Sequence, residues 1–120
     1  MKPEEIANEI LNQIIYLDNK ALMAYGSKNF RAIKEHYIGK DYFLGGVQFI
    51  VKGLYYKGIV KILLHSSDTY TILFGEIKRF DNVYVDDLIE RLDFIEFGLS
   101  DKKEYTIDDI MNSLFDDEDE

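Results

Sequence analysis

A chain of 120 residues that is 47% hydrophobic and 14% aromatic has the length for one domain and the composition of a folding sequence, not a disordered one. It has no cysteine, no N-terminal apolar stretch in MKPEEIANEI and no run near the ~18 apolar residues of a membrane helix, which together exclude disulfide scaffolds and thiolate-metal sites and predict a soluble, cytoplasmic protein. The net charge of −9 is uneven: residues 81–120 hold fifteen acidic and three basic side chains (net −12), and residues 1–80 hold eight acidic and eleven basic ones (net +3).

In chain order, Pro3 followed by Glu4 and Glu5 makes a good helix start, because proline suits the first turn and early acids suit the macrodipole. Ile6, Ile10, Leu11, Ile14 and Ile15 recur at helical spacing and predict an amphipathic helix over 4–18. ALMAYGSKNFRAIKEHY (21–37) is interrupted at Gly26 and Ser27 and reads as a strand broken by a turn or bulge. HYIGKDYFLGG, with Gly39, Gly45 and Gly46, reads as loop.

The middle is a meander. VQFIVK (47–52) alternates, with Val47, Phe49 and Val51 on one side, and Lys52-Gly53 suits a two-residue hairpin turn. LYYKGIVKILLH (54–65) reads as a long strand with Tyr56, Val60, Ile62 and Leu64 on one face and Tyr55, Lys57, Ile59, Lys61 and Leu63 on the other. SSD turns the chain, and TYTILFGEIKRF (69–80) is a third strand rich in β-branched and aromatic residues. Val85, Leu88, Ile89, Leu92 and Ile95 then form a helical stripe over 84–96, closed by Gly98, and TIDDIMNSLF (106–115) predicts a last short helix.

Helix, strands, helix, helix describes a two-layer α+β fold: an antiparallel sheet of three to five strands with an N-terminal helix and C-terminal helices. Residues 1–100 make the single domain, and 101–120 carry the short helix and the acidic tail. No helix separates the strands, which excludes a parallel α/β sheet.

No stretch carries a catalytic or cofactor motif. His65-Ser66-Ser67-Asp68 has a nucleophile, a base and an acid in a row, but a triad needs side chains converging from different places, so the four residues read as a turn. His36, with Glu35 and Asp41 nearby, fits no zinc spacing, and the glycines match no phosphate loop. Asp86, Asp87, Glu90 and Asp93 lie off the apolar stripe of one helix, which makes a solvated face and not a magnesium site. Tyr55, Lys57 and Lys61 are candidates for a single-strand platform, where bases stack on aromatics beside cations; Ile59 and Leu63 on the same face point instead to covering by another element or a second copy, a homodimer. The net negative charge opposes nucleic-acid binding.

Two short resemblances concern the end of the chain, SLFDDEDE. It resembles the acidic C-terminus of bacterial single-stranded-DNA-binding proteins, and MNSLF is similar to the bacterial sliding-clamp peptide Gln-x-x-Leu-Phe, with Met111 in place of the glutamine. From KALMAYGSKNF through LGGVQFIVKG and SSDTYTILFGEI to VYVDDLIERLDFI the chain resembles small accessory proteins of tailed phages and integrated mobile elements. That resemblance implies a binder of a host protein. The resulting expectation is a non-enzymatic interaction protein, without cofactor or metal, that modulates a host nucleic-acid-processing or defence protein. Its contact set is Asp86, Asp87, Glu90, Asp93, Leu114, Phe115, Asp116, Asp117, Glu118, Asp119 and Glu120, facing a basic partner surface. The alternative is a nucleic-acid-binding module on the Tyr55, Lys57 and Lys61 face.

Overall fold

The computed structural model describes residues 2–98. Helix α1 (Pro3–Leu17) starts at Pro3, with Glu4 and Glu5 in its first turn and the Glu5 carboxylate accepting the Lys2 backbone N–H at 3.1 Å. Its buried stripe is Ile6, Ala7, Ile10 and Ile14, with Leu11 at the margin. Ile15, expected on that stripe, is 47% exposed, because it falls one position past the inward-facing Ile14.

The next segment departs from expectation. Ala21–Ala24 forms a short helix, α2, instead of a strand. Ala, Leu and Met are good helix formers, and the turn closes by a Schellman pair: Gly26 N–H to the Met23 carbonyl at 2.9 Å and Ser27 N–H to the Leu22 carbonyl at 3.0 Å. Strand β1 (Lys28–Ile33) follows, with the expected bulge placed between Lys28 and Arg31. The stretch read as loop is a hairpin: β2 (His36–Ile38) turns through Gly39-Lys40 into β3 (Asp41–Lys52), which is 12 residues long. Its regular alternation is interrupted by a bulge between Phe43 and Gly45, which hides the strand period from a sequence reading.

Strands β4 (Lys57–His65), β5 (Tyr70–Phe74) and β6 (Lys78–Val83) complete an antiparallel sheet of order β1-β3-β4-β5-β6, with β2 beside β1 on β3. The sheet has six strands, one more than the expected upper limit. The β3–β4 connection is not a two-residue turn: Lys52 pairs with Lys57, leaving 53–56 as a loop. Tertiary packing lengthens it. Tyr55 and Tyr56 N–H both donate to the Ile95 carbonyl at 3.0 Å, and a Cβ on Gly53 would collide with that same backbone.

After β6 the chain makes a 3-10 turn (Val85–Asp87), then α3 (Leu88–Leu92) and α4 (Phe94–Phe97), not one continuous helix. Leu88, Leu92 and Ile95 are fully buried as expected, Val85 and Ile89 pack at the margin, and Phe94 joins the core as well. The helices share one face of the sheet and one apolar cluster with Val47, Phe49, Val60, Ile62, Ile72 and Phe74, giving the two-layer α+β architecture. Phe74 lies 4.6 Å from Phe94, 5.7 Å from Tyr56 and 5.9 Å from Phe80 between ring centroids, an aromatic knot that joins sheet to helices. No described helix is long and apolar enough to cross a membrane. The expected helix at 106–115 and the tail lie outside the described residues.

Candidate functional site

One flank of α1 borders a groove of about 550 Å³ whose other wall is the 3-10 turn after β6. Glu5, Asn8, Glu9, Asn12, Gln13 and Tyr16 line it from the helix, at successive steps of three and one, so they form a single polar stripe beside the buried one. Val85 and Asp86 face them from the 3-10 turn, and Leu17 closes the end. Three carboxylates (Glu5, Glu9, Asp86) therefore meet in the groove, and no basic side chain lines it among the described residues.

The stripe is held from below. Tyr70, on β5, donates its hydroxyl to Gln13 Oε1 at 2.7 Å, and Gln13 Nε2 donates to Glu9 Oε2 at 3.5 Å. Burial first, and the Glu9 charge second, push the Tyr70 hydroxyl above its usual range, so it stays a donor. The groove volume falls within the usual range of ligand sites, and its mostly apolar surface, bordered by amides and carboxylates, suits a guanidinium or ammonium group flanked by apolar atoms that reach Tyr16, Leu17 and Val85.

The expected acidic set divides here. Asp86 lines the groove. Asp87 is half-buried at the N-cap of α3, and Glu90 is exposed one turn further on. Asp93 is half-buried between α3 and α4 and accepts the Tyr25 hydroxyl at 3.3 Å. Burial first, and then Asp93, raise the Tyr25 hydroxyl well above its ordinary value. Leu114, Phe115 and Asp116 to Glu120 lie outside the described residues. Glu5, Glu9 and the amides between them escaped the sequence reading, which looked for the apolar period of α1 and not for the polar one beside it.

The opposite face of the sheet is not covered by any described helix and carries a second constellation. His65 Nε2 meets Asp41 Oδ1 at 3.1 Å, Arg79 Nη2 reaches Asp41 Oδ2 at 3.2 Å, and Arg79 Nε reaches Asp81 Oδ1 at 2.9 Å. Thr71 donates to the same Asp81 oxygen at 2.9 Å. Asp41 is held below the usual carboxylate range, chiefly by its hydrogen bond from His65. Ser67 Oγ stands 2.8 Å from His65 Nδ1, so Ser67, His65 and Asp41 form a connected row. The Ser67 backbone N–H also donates to that Nδ1 at 3.0 Å, and the Asp68 N–H donates to the His65 carbonyl at 2.8 Å. The local amides are thus committed to closing the turn, and the row ties the β4–β5 turn to Asp41 at the start of β3.

Lys57 and Lys61 stand on this open face, opposite Lys52 and Gln48 of β3. Tyr55 does not join them. It sits in the 53–56 loop with its ring edge-on to Phe94 at 5.2 Å, which separates the expected stacking platform into its parts. Leu63, on the same face, is fully buried and not left for a partner. Its side chain folds over Gly46, where a Cβ would come within 2.9 Å of it, and Phe43 beside it is capped by the His65 ring at 5.2 Å. Among the described residues no cluster of His, Cys, Asp and Glu has the arrangement of a metal site. Compared with family models, curated proteins and solved structures, the chain has no match.

Proposed function

We propose that this is a non-enzymatic interaction protein that receives a basic segment of a partner protein in the groove between α1 and the 3-10 turn. The observation that carries this reading is that Glu5, Glu9 and Asp86 line one mostly apolar groove with no described cation among its lining residues. The net negative charge of residues 81–120 draws a basic surface toward the chain, and the groove supplies the register. The resemblance of the overall pattern to small accessory proteins of phages and mobile elements favours a host nucleic-acid-processing or defence protein as the partner.

The test uses the full chain and synthetic peptides that alternate Arg or Lys with Leu. Binding is expected to weaken as salt rises, and Glu9→Gln with Asp86→Asn is expected to slow association more than it speeds dissociation. An acidic peptide of the same apolar content serves as the control. Equal binding of basic and acidic peptides, or no change in the double variant, overturns the reading.

A further inference from the structure

Away from the acidic groove, three lysines gather at one end of the open face. Lys52 and Lys57 are direct cross-strand partners on β3 and β4, and Lys28 on β1 is paired with Ile50, two residues from Lys52. Like charges set directly opposite each other destabilise a sheet, and directly opposed Cβ atoms lie only ~5 Å apart. All three are exposed, and none makes an ion pair among the described residues. In a chain with 23 acidic residues, this is a concentration of cations with no described counter-charge.

The lysines border a groove of about 600 Å³, completed by Met23, Ala24 and Gly26 at the end of α2 and by Ile50 and Gly58 on the strands. Its wall is fixed, because the Lys52 N–H donates to the Tyr25 carbonyl at 2.8 Å and so ties the α2 turn to β3. Met23, 82% exposed, gives the rim an apolar shoulder.

We propose that this groove binds a compact polyphosphate, the di- or triphosphate group of a small organic molecule. Lysine ammonium groups act on phosphate oxyanions as point charges, and three of them match two or three adjacent phosphates. A single carboxylate would leave cations unmatched. A long polyanion would run from the groove onto the surface of a chain whose net charge is −9, so a short anion fits better than a nucleic-acid backbone. The apolar shoulder receives the organic part. This site is separate from the acidic groove and does not depend on it.

The test titrates full-length protein with inorganic pyrophosphate, with adenosine diphosphate and with an oligothymidylate, by calorimetry and by thermal shift. Pyrophosphate and adenosine diphosphate are expected to bind and to raise the Tm. Lys52→Gln or Lys57→Gln is expected to weaken each by about tenfold, the size of one lost charge-assisted contact, and Lys61→Gln, outside the groove, to leave both unchanged. Without ligand, Lys57→Gln should melt no lower than the parent, because it removes a repulsion, and that separates lost binding from lost folding. Binding of the oligothymidylate with the same lysine dependence but without pyrophosphate binding overturns the compact-anion assignment in favour of nucleic acid. No binding of any probe, or loss of binding in Lys61→Gln to the same degree, overturns the site.

Discussion

The two faces of one sheet are built to opposite specifications from the same strands. On β4, Val60 and Ile62 point under the helices and are fully buried, and their neighbours Ile59 and Lys61 point outward among Lys52, Lys57 and Gln48. The covered face holds the fold through area: Phe49, Phe74, Ile72 and the helix residues Ile10, Leu88 and Leu92 are all removed from water, each worth roughly 1.5–3 kcal/mol of burial. The open face is joined by ion pairs whose side chains are mostly a third or more exposed, and such pairs contribute only ~0–1 kcal/mol each. Most of the buried area lies on the helix-covered face; the other holds a small buried patch at Phe43 and Leu63, and its remainder carries charge.

The largest expected effects lie on the covered face. Phe74→Ala should cost ~3–5 kcal/mol and Leu92→Ala ~2–5 kcal/mol in urea denaturation, since both are fully buried and Phe74 holds the aromatic knot. A loss under about half a kcal/mol for either would place it among surface substitutions. A sharper version compares Ile62→Ala with Leu63→Ala, adjacent residues on opposite faces and both fully buried. Ile62→Ala should cost more, because helices roof its cavity, whereas water can enter the one left over Gly46. The reverse order would mean that the buried patch at Phe43 and Leu63 contributes more to stability than the helix-covered face at this position.

How much of this was legible follows from the same contrast. The alternation of Val47, Phe49 and Val51, and the stripe of Leu88, Leu92 and Ile95, were readable because one face of each meets the core, and burial imposes a period. The β2–β3 hairpin was not, because the bulge at Leu44 breaks the period there. The loop at 53–56 was not, because its length is set by Ile95, a residue 42 positions after Gly53. The helix at 84–96 was readable in its buried positions but not in its break at Asp93. At the groove, Asp86 is legible as an acid off the apolar stripe of its helix, but Glu5 reads only as part of a helix start and Glu9 carries no signal of its own. Their meeting with Asp86 is tertiary, and no local pattern encodes it.

Tyr25 joins the layers, and its hydroxyl gives a medium-sized test. Tyr25→Phe removes the bond to Asp93 and should cost about 1 kcal/mol at neutral pH, the ordinary net worth of a hydrogen bond. The variant should also respond less to alkali. The folded-state pKa is raised, so above about pH 10 the unfolded chain loses its proton first and stability falls with rising pH. Phenylalanine removes that contribution, although Tyr56 and Tyr70, both raised chiefly by burial, keep theirs. An alkaline limb as steep in Tyr25→Phe as in the parent would show that Tyr25 is not one of the groups resisting ionisation.

The smallest expected effects lie on the open face, and their pattern with pH matters more than their size. Arg79→Gln breaks contacts with both Asp41 and Asp81 yet should change stability by no more than ~1 kcal/mol at neutral pH, since its side chain is 36% exposed. Asp41 provides the acid-side check. Its folded-state pKa is lowered, first by the His65 hydrogen bond and to a smaller extent by Arg79. The contribution is therefore present above the ordinary carboxylate value of about 4 and is lost as pH falls below it. Asp41→Asn should lower the Tm slightly at neutral pH, and the difference from the parent should shrink as pH falls through the acid range and the parent loses the same interaction. If parent and Asp41→Asn melt in parallel at every pH, the row from Ser67 through His65 to Asp41 adds nothing to the fold. If instead Asp41→Asn melts far below the parent at neutral pH, in the range expected of Phe74→Ala, the two faces share the work of stability and the division drawn between them fails.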